Sequence, residues 1–142
     1  MENMPITRLE HYLVVSDALE QTRDFYCDVL GLRVGARPNL GFAGYWLYAG
    51  DSACLHLADR SSYTAYKARV GTPVPQQTID TGAIDHIAFN AQSFGATIAH
   101  LEGRGIRYRQ NFIGDIGLRQ IFVQDPNAVT LELNFRDTEK GA

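Results

Sequence analysis

Three histidines and a glutamate stand at matched points of this chain. His11 opens the apolar segment His11-Tyr-Leu-Val-Val, and His56 follows 45 positions later. His86 opens a second such segment, His86-Ile-Ala-Phe-Asn, and Glu132 follows 46 positions later. Neutral imidazoles and a carboxylate are the donors that hold divalent Fe, Ni, Zn, Mn or Co. An isolated histidine is more often structural, but three of the four in this chain fall at equivalent points of a duplicated unit. His100 has no repeat partner and reads as a surface residue on a helix.

The elements that must position these groups repeat as well. His11 to Val15 is rich in β-branched and aromatic residues and predicts a strand. Asp17 is placed to cap a following helix, with Glu20 completing a capping-box-like pair. Ala18, Thr22, Phe25, Tyr26, Val29 and Leu30 recur at helical spacing, and Gly31 suits the left-handed residue past its end. A hairpin follows, from Tyr45–Ala49 through Gly50-Asp51 to Ala53–Leu57. In the second copy, Ile84 to Asn90 predicts a strand and Ser93 a helix cap. Phe94, Ile98 and Leu101 give the apolar stripe, and Gly105 the stop. Gln120–Gln124, the Asp125-Pro-Asn-Ala128 turn and Val129–Leu133 form its hairpin. Second strands are expected near Leu32 to Arg37 and Ile106 to Gln110, giving β-α-β-β-β twice.

Strand alternation assigns faces. Leu55 and Leu57 flank His56, and Leu131 and Leu133 flank Glu132. With period 2, the leucines pack under the helices while His56 and Glu132 face the other side. Cys54, Thr130 and Asn134 share that side, a polar lining suited to substrate. Trp46 lies ten positions before His56, as Phe122 does before Glu132, so it is a candidate wall of the site. Arg119 is either an anchor for an anionic substrate group or an exposed strand-edge arginine. Cys54 has no assigned base and reads as lining rather than as a nucleophile. Asn111 to Gly117 reads as a flap over the site or a long turn.

Bulk composition narrows the function. The 142 residues and 45% hydrophobic content suit one domain or two fused modules: module one about 7–58, a linker about 59–82 and module two about 83–135. The linker reads either as a cover for the site or as a passive tether with a short helix around Tyr63 to Arg69. A net charge of −3 gives no basic field for nucleic acid. No apolar run reaches the roughly 18 residues of a membrane span, and the N-terminus lacks a signal-peptide layout. Cys27 and Cys54 are too few for a disulfide scaffold, so a cytoplasmic protein with reduced thiols is expected.

Leu9-Glu-His11, Phe25-Tyr-Cys-Asp-Val-Leu-Gly-Leu32, Ile84-Asp-His86 and Phe122-Val-Gln-Asp-Pro-Asn-Ala-Val-Thr-Leu-Glu132 together resemble the vicinal oxygen chelate superfamily. That group includes glyoxalase I, methylmalonyl-CoA epimerase, extradiol dioxygenases and bleomycin-resistance proteins. The resemblance covers roughly residues 7 to 135. Ala128 departs from it, standing where glycine is usual. The resemblance implies an α+β fold in which two βαβββ modules form a cup-shaped mixed sheet around a divalent metal. It implies His11, His56, His86 and Glu132 as ligands, a small-molecule substrate and a homodimer. Four ligands leave two octahedral positions for vicinal substrate oxygens, with Glu132 as the base of a glyoxalase- or epimerase-type proton transfer. If His56 stays off the metal, three positions open for a catechol and O₂, the layout of a ring-cleaving dioxygenase. A metal-free drug-binding protein of the bleomycin-resistance type is the further alternative, and it has no need of the histidines. No residue points to glutathione.

Overall fold

The computed structural model describes residues 6–71 and 81–136. These stretches fall into two compact units, one before and one after the junction near residue 75. The fold is α+β, and each unit carries the βαβββ order with its own four-stranded mixed sheet.

The first unit contains β1 (Tyr12–Ser16), α1 (Leu19–Asp24) continued by a π-helical turn (Phe25–Val29), β2 (Arg33–Gly35), β3 (Gly44–Ala49), β4 (Ser52–Asp59) and α2 (Arg60–Val70). Its strand order is β1-β4-β3-β2, with β1 and β4 parallel and the other pairs antiparallel. Leu47 and Leu55 are fully buried and Leu57 almost so, on the face that also carries Val14 and Ser16. Leu19, Thr22 and Tyr26 are buried on the helical segment. Each fully buried leucine stabilises the unit by roughly 1.5–3 kcal/mol. Gly31 ends the helical segment at φ +80°, which suits a residue without Cβ.

The predicted cap differs. Asp17 makes no cap; it pairs at 3.1 Å with Arg60, which follows the neighbouring strand β4. The Ser16 hydroxyl accepts from the Ala18 N–H instead (2.9 Å), and Glu20 accepts from the Tyr45 hydroxyl (3.2 Å). The segment after His56 completes β4 and then forms α2, whose N-cap Asp59 accepts from the Ser62 N–H.

The second unit contains β5 (Ile87–Asn90), α3 (Phe94–Gly103), β6 (Arg109–Ile113), a 3₁₀ turn (Gly114–Ile116), β7 (Leu118–Gln124) and β8 (Thr130–Arg136). Its order, β5-β8-β7-β6, repeats that of the first unit. Ile121, Leu131 and Phe135 are fully buried, and Phe94 of α3 meets Phe135 edge to face at 5.4 Å. The expected second strand near 106–110 begins at Arg109, because Ile106 is used up closing the helix, its N–H bonding Leu101. The stretch from Asn111, expected as a flap or a long turn, is strand as far as Ile113. Ala128 adopts φ +66° in the last turn, where Asp125 accepts from the Asn127 and Val129 N–H groups. No described helix is long and apolar enough to cross a membrane.

Candidate metal centre

In the first unit, His11 stands one residue before β1 and His56 in the middle of β4. Register places Leu13 beside His56, so His11, two residues earlier, shares its face. Trp46 is the cross-strand partner of His56 on the other side. The three rings form a stack: His11–His56 centroids are 3.7 Å apart and Trp46–His56 centroids 4.1 Å, both nearly parallel. Burial and the neighbouring His11 lower the pKa of His56, favouring the neutral imidazole that a metal requires. Cys54 lies on the same face, and burial raises its pKa, so the thiol stays protonated near neutrality.

In the second unit, His86 stands one residue before β5, and Glu132 lies mid-β8 beside Ala88 and Phe122. His86 Nε2 and Glu132 Oε1 are 3.2 Å apart. Two donors bound side by side on one ion with bonds of about 2.1 Å would be separated by about 3 Å. The pair is thus spaced as shared ligands are. Asp85 accepts from His86 Nδ1 (2.8 Å) and raises the pKa of the ring, with Glu132 adding to the effect.

Glu10 makes the same contact to His11 Nδ1, also at 2.8 Å. Each metal-candidate histidine that precedes a strand is therefore held by the carboxylate just before it. A proton kept on Nδ1 leaves the Nε2 lone pair for a ligand, the usual outer support of a metal-bound histidine. The sequence reading did not assign Glu10 and Asp85, although acid-His stands at both repeat points. Among the described residues, no group of three or more His, Cys, Asp and Glu side chains is arranged to hold a metal ion. Each unit offers a pair.

The remaining candidates divide by face. Asn134 lies on the Glu132 face and donates to Glu132 Oε2 (2.8 Å). Arg119 lies on the opposite, helix-side face, paired in register with Phe135, its guanidinium over the Phe94 and Phe112 rings. Arg109 does lie on the Glu132 face, opposite Phe122 in register and 4.2 Å over its ring, and Arg136 shares that face at the end of β8. Counting by twos from Glu132 would have excluded Arg119, but only the register of β6 brings Arg109 into place.

Comparison with known proteins decides the family. Residues 8–133 match the model of the Glyoxalase/Bleomycin resistance protein/Dioxygenase superfamily. The chain belongs to this superfamily. It is similar to the Arabidopsis thaliana protein named Glyoxylase I 4, with 30% identity over 131 residues, 90% of this chain and 70% of the relative. Among solved structures, a lactoylglutathione lyase from Agrobacterium tumefaciens superposes with a TM-score of 0.66 at 20% identity, covering 92% of this chain and 95% of the other. An antibiotic binding protein from Streptomyces superposes with a TM-score of 0.67 at 22% identity, covering 95% of this chain and 100% of the other. At these identities the structures share the superfamily's two-module fold with this chain, and one is a lyase while the other is a binding protein.

Proposed function

We propose that this superfamily member is a metal-dependent enzyme that moves a proton on a small substrate bearing two adjacent oxygens, a lyase or isomerase of the glyoxalase type. The observation that carries the proposal is the His86–Glu132 pair at 3.2 Å, matched in the other unit by His11 against His56. These four residues would hold one divalent ion of Fe, Ni, Zn, Mn or Co. Bound there, the ion supplies Lewis acidity to the two substrate oxygens.

The chain's own residues do the rest. Glu10 and Asp85 hold the Nδ1 protons of His11 and His86, so that each ring presents Nε2. Glu132 is the base. Asn134 occupies its Oε2, so Oε1 is the oxygen that would serve the ion and, when free of it, would take the proton from the substrate carbon. Trp46 and Cys54 line the His56 face, and Asn134 the Glu132 face. Arg109 over Phe122, rather than Arg119, supplies the cation on that face for an anionic substrate group. The working form is a homodimer, checked by sedimentation. Mixing His11→Ala and Glu132→Ala chains tests whether subunits share their donors: recovered activity requires donors from two chains.

The ring stack at His56 favours a second reading. A histidine clasped between His11 and Trp46 can serve as a pocket wall, leaving His11, His86 and Glu132 as the three-ligand set of an extradiol dioxygenase. Elemental analysis of protein purified without chelator, beside a His56→Ala variant, separates the two. Nickel, zinc, cobalt or manganese lost in the variant, together with turnover of 2-oxoaldehyde adducts or acyl-CoA epimers, supports proton transfer. Iron retained in the variant, with oxygen uptake on catechols, supports ring cleavage. No metal uptake even on reconstitution sinks both and leaves a binding protein, as the similar Streptomyces protein is.

A further inference from the structure

One row of side chains on the second sheet runs across three strands and ends on Glu132. Asn111 of β6 pairs in register with Gln120 of β7, and Gln120 with Asn134 of β8. Asn111 Nδ2 donates to Gln120 Oε1 (2.8 Å), Gln120 Nε2 to Asn134 Oδ1 (3.1 Å), and Asn134 Nδ2 to Glu132 Oε2 (2.8 Å). Gln120 is buried, at 7% exposure, unusual for a glutamine with no charged partner of its own.

The carboxylate sets the direction of the whole row. An ionised glutamate only accepts. Asn134 must turn its NH₂ toward Glu132, which leaves its carbonyl facing Gln120. Gln120 must then present NH₂ to Asn134 and its carbonyl to Asn111. Each amide gives with one end and takes with the other, and bonds aligned in this way polarise one another. We propose that Asn111, Gln120 and Asn134 form a one-way hydrogen-bond relay that positions the Glu132 carboxylate, fixing Oε2 so that Oε1 stays toward His86. None of the first two residues reaches Glu132 directly; they are positioning residues acting through Asn134. The consequence for metal binding rests on the functional reading above, whereas the relay itself does not.

The test uses the full-length protein and two readouts. The first is the side-chain NH₂ spectrum of Asn111, Gln120 and Asn134 in wild type and in Glu132→Gln, without metal. Exchanging the acceptor-only carboxylate for an amide that can give as well as take frees the direction of the row, so all three amide signals shift, the far one at Asn111 included. The second is the affinity for Ni(II) alone in wild type, Gln120→Met and Gln120→Glu, with melting of the metal-free proteins as the control for folding. Loss of a partner bonded directly to a ligand weakens metal affinity by about tenfold or more, and Gln120→Met, which loosens that partner, is expected to weaken it by a smaller, measurable factor. Gln120→Glu keeps the shape but cannot donate to Asn134, so it fails to rescue.

Unmoved Gln120 and Asn111 signals in Glu132→Gln overturn the relay, whatever the metal does. A wild type that binds Ni(II), with Gln120→Met binding it equally well, overturns positioning even if melting falls. Amide shifts running the length of the row in a wild type that takes up no Ni(II) keep the relay and sink the metal reading instead.

Discussion

The two units fold to one plan and hold their candidate donors by different physics. In the first, His56 is clamped by ring faces, with His11 on one side and Trp46 on the other. In the second, Glu132 is held by hydrogen bonds, with Asn134 on one oxygen and His86 facing the other. The residue type dictates the method. An imidazole has two flat apolar faces that aromatic neighbours cover. A carboxylate has lone pairs that must find donors when its surroundings are partly dry. Elsewhere the units agree: the Nδ1 contact to the preceding acid is 2.8 Å in both. Where a group's chemistry is retained, so is its support; where it changed, the support changed with it.

The largest effect that would break this comparison comes from Glu132. Glu132→Gln removes the charge and is expected to weaken metal affinity beyond the roughly 10–100-fold typical of an outer-shell partner. A Trp46→Leu variant, which strips only the ring clamp, should lose less. Titration calorimetry with Ni(II) compares them, and an equal loss would mean that the first unit's clamp matters as much as the second unit's charge. Trp46→Leu should also destabilise the fold by about 1 kcal/mol, the scale of one aromatic pair, whereas Phe122→Leu, which removes no ring from a candidate ligand, should leave metal affinity closer to wild type. Urea unfolding and the same calorimetry check both.

A smaller effect sharpens the comparison at the turns. The first hairpin turns through Gly50 at φ +58°, the second through Ala128 at φ +66°. A residue with Cβ in the left-handed region costs roughly 1–2 kcal/mol, so Ala128→Gly is expected to raise stability by about 1 kcal/mol in urea without altering metal affinity. A destabilised variant would show that the Asp125 turn bonds already offset the cost.

The subtlest contrast is in the order of protonation. In the metal-free protein, burial and His11 push the pKa of His56 below its ordinary value, while Asp85 and Glu132 push that of His86 above it. As pH falls, His86 therefore takes its proton before His56 does. Ring-proton NMR measures the order directly. Trp46 is the chain's single tryptophan and lies on His56, so its fluorescence should respond only in the lower, His56 step. Asp85→Asn should bring the His86 titration down and leave that of His56 in place. A reversed order would break the contrast between a dry ring clamp and a charged pair.

Much of this is legible in the sequence alone. The leucines flanking His56 and Glu132 are buried as period 2 requires, and Gly31 and Gly105 end their helical segments in the left-handed region. These features depend on residues a few positions apart. What was not readable depends on distant partners. Asp17 has the composition of a cap, but Arg60 claims it from 43 positions away. Alternation alone sets Arg119 apart from Glu132, but Arg109 depends on β6, which is expected three residues too early, and a shift of odd length exchanges the faces of a strand. The amide row was hidden for the same reason: Asn134 and Gln120 follow from alternation, but Asn111 joins them only once β6 has its register.

Gly44 gives the asymmetry of the halves a history that cannot easily run backwards. It occupies the place in β3 that Gln120 holds in β7, opposite Ala58 where the second unit has Asn134. A Cβ built there would run into the carbonyl oxygen of Leu57. No single substitution can therefore plant an amide at that point of the first half. If both halves descend from one ancestor, reciprocal exchange between them is closed: a glutamate introduced at position 56 would arrive without the scaffold that serves Glu132. The specialisation of each half is written into backbone spacing as well as into side chains, and a chain made from two identical copies of either half would have to rebuild a strand before it could reproduce this one.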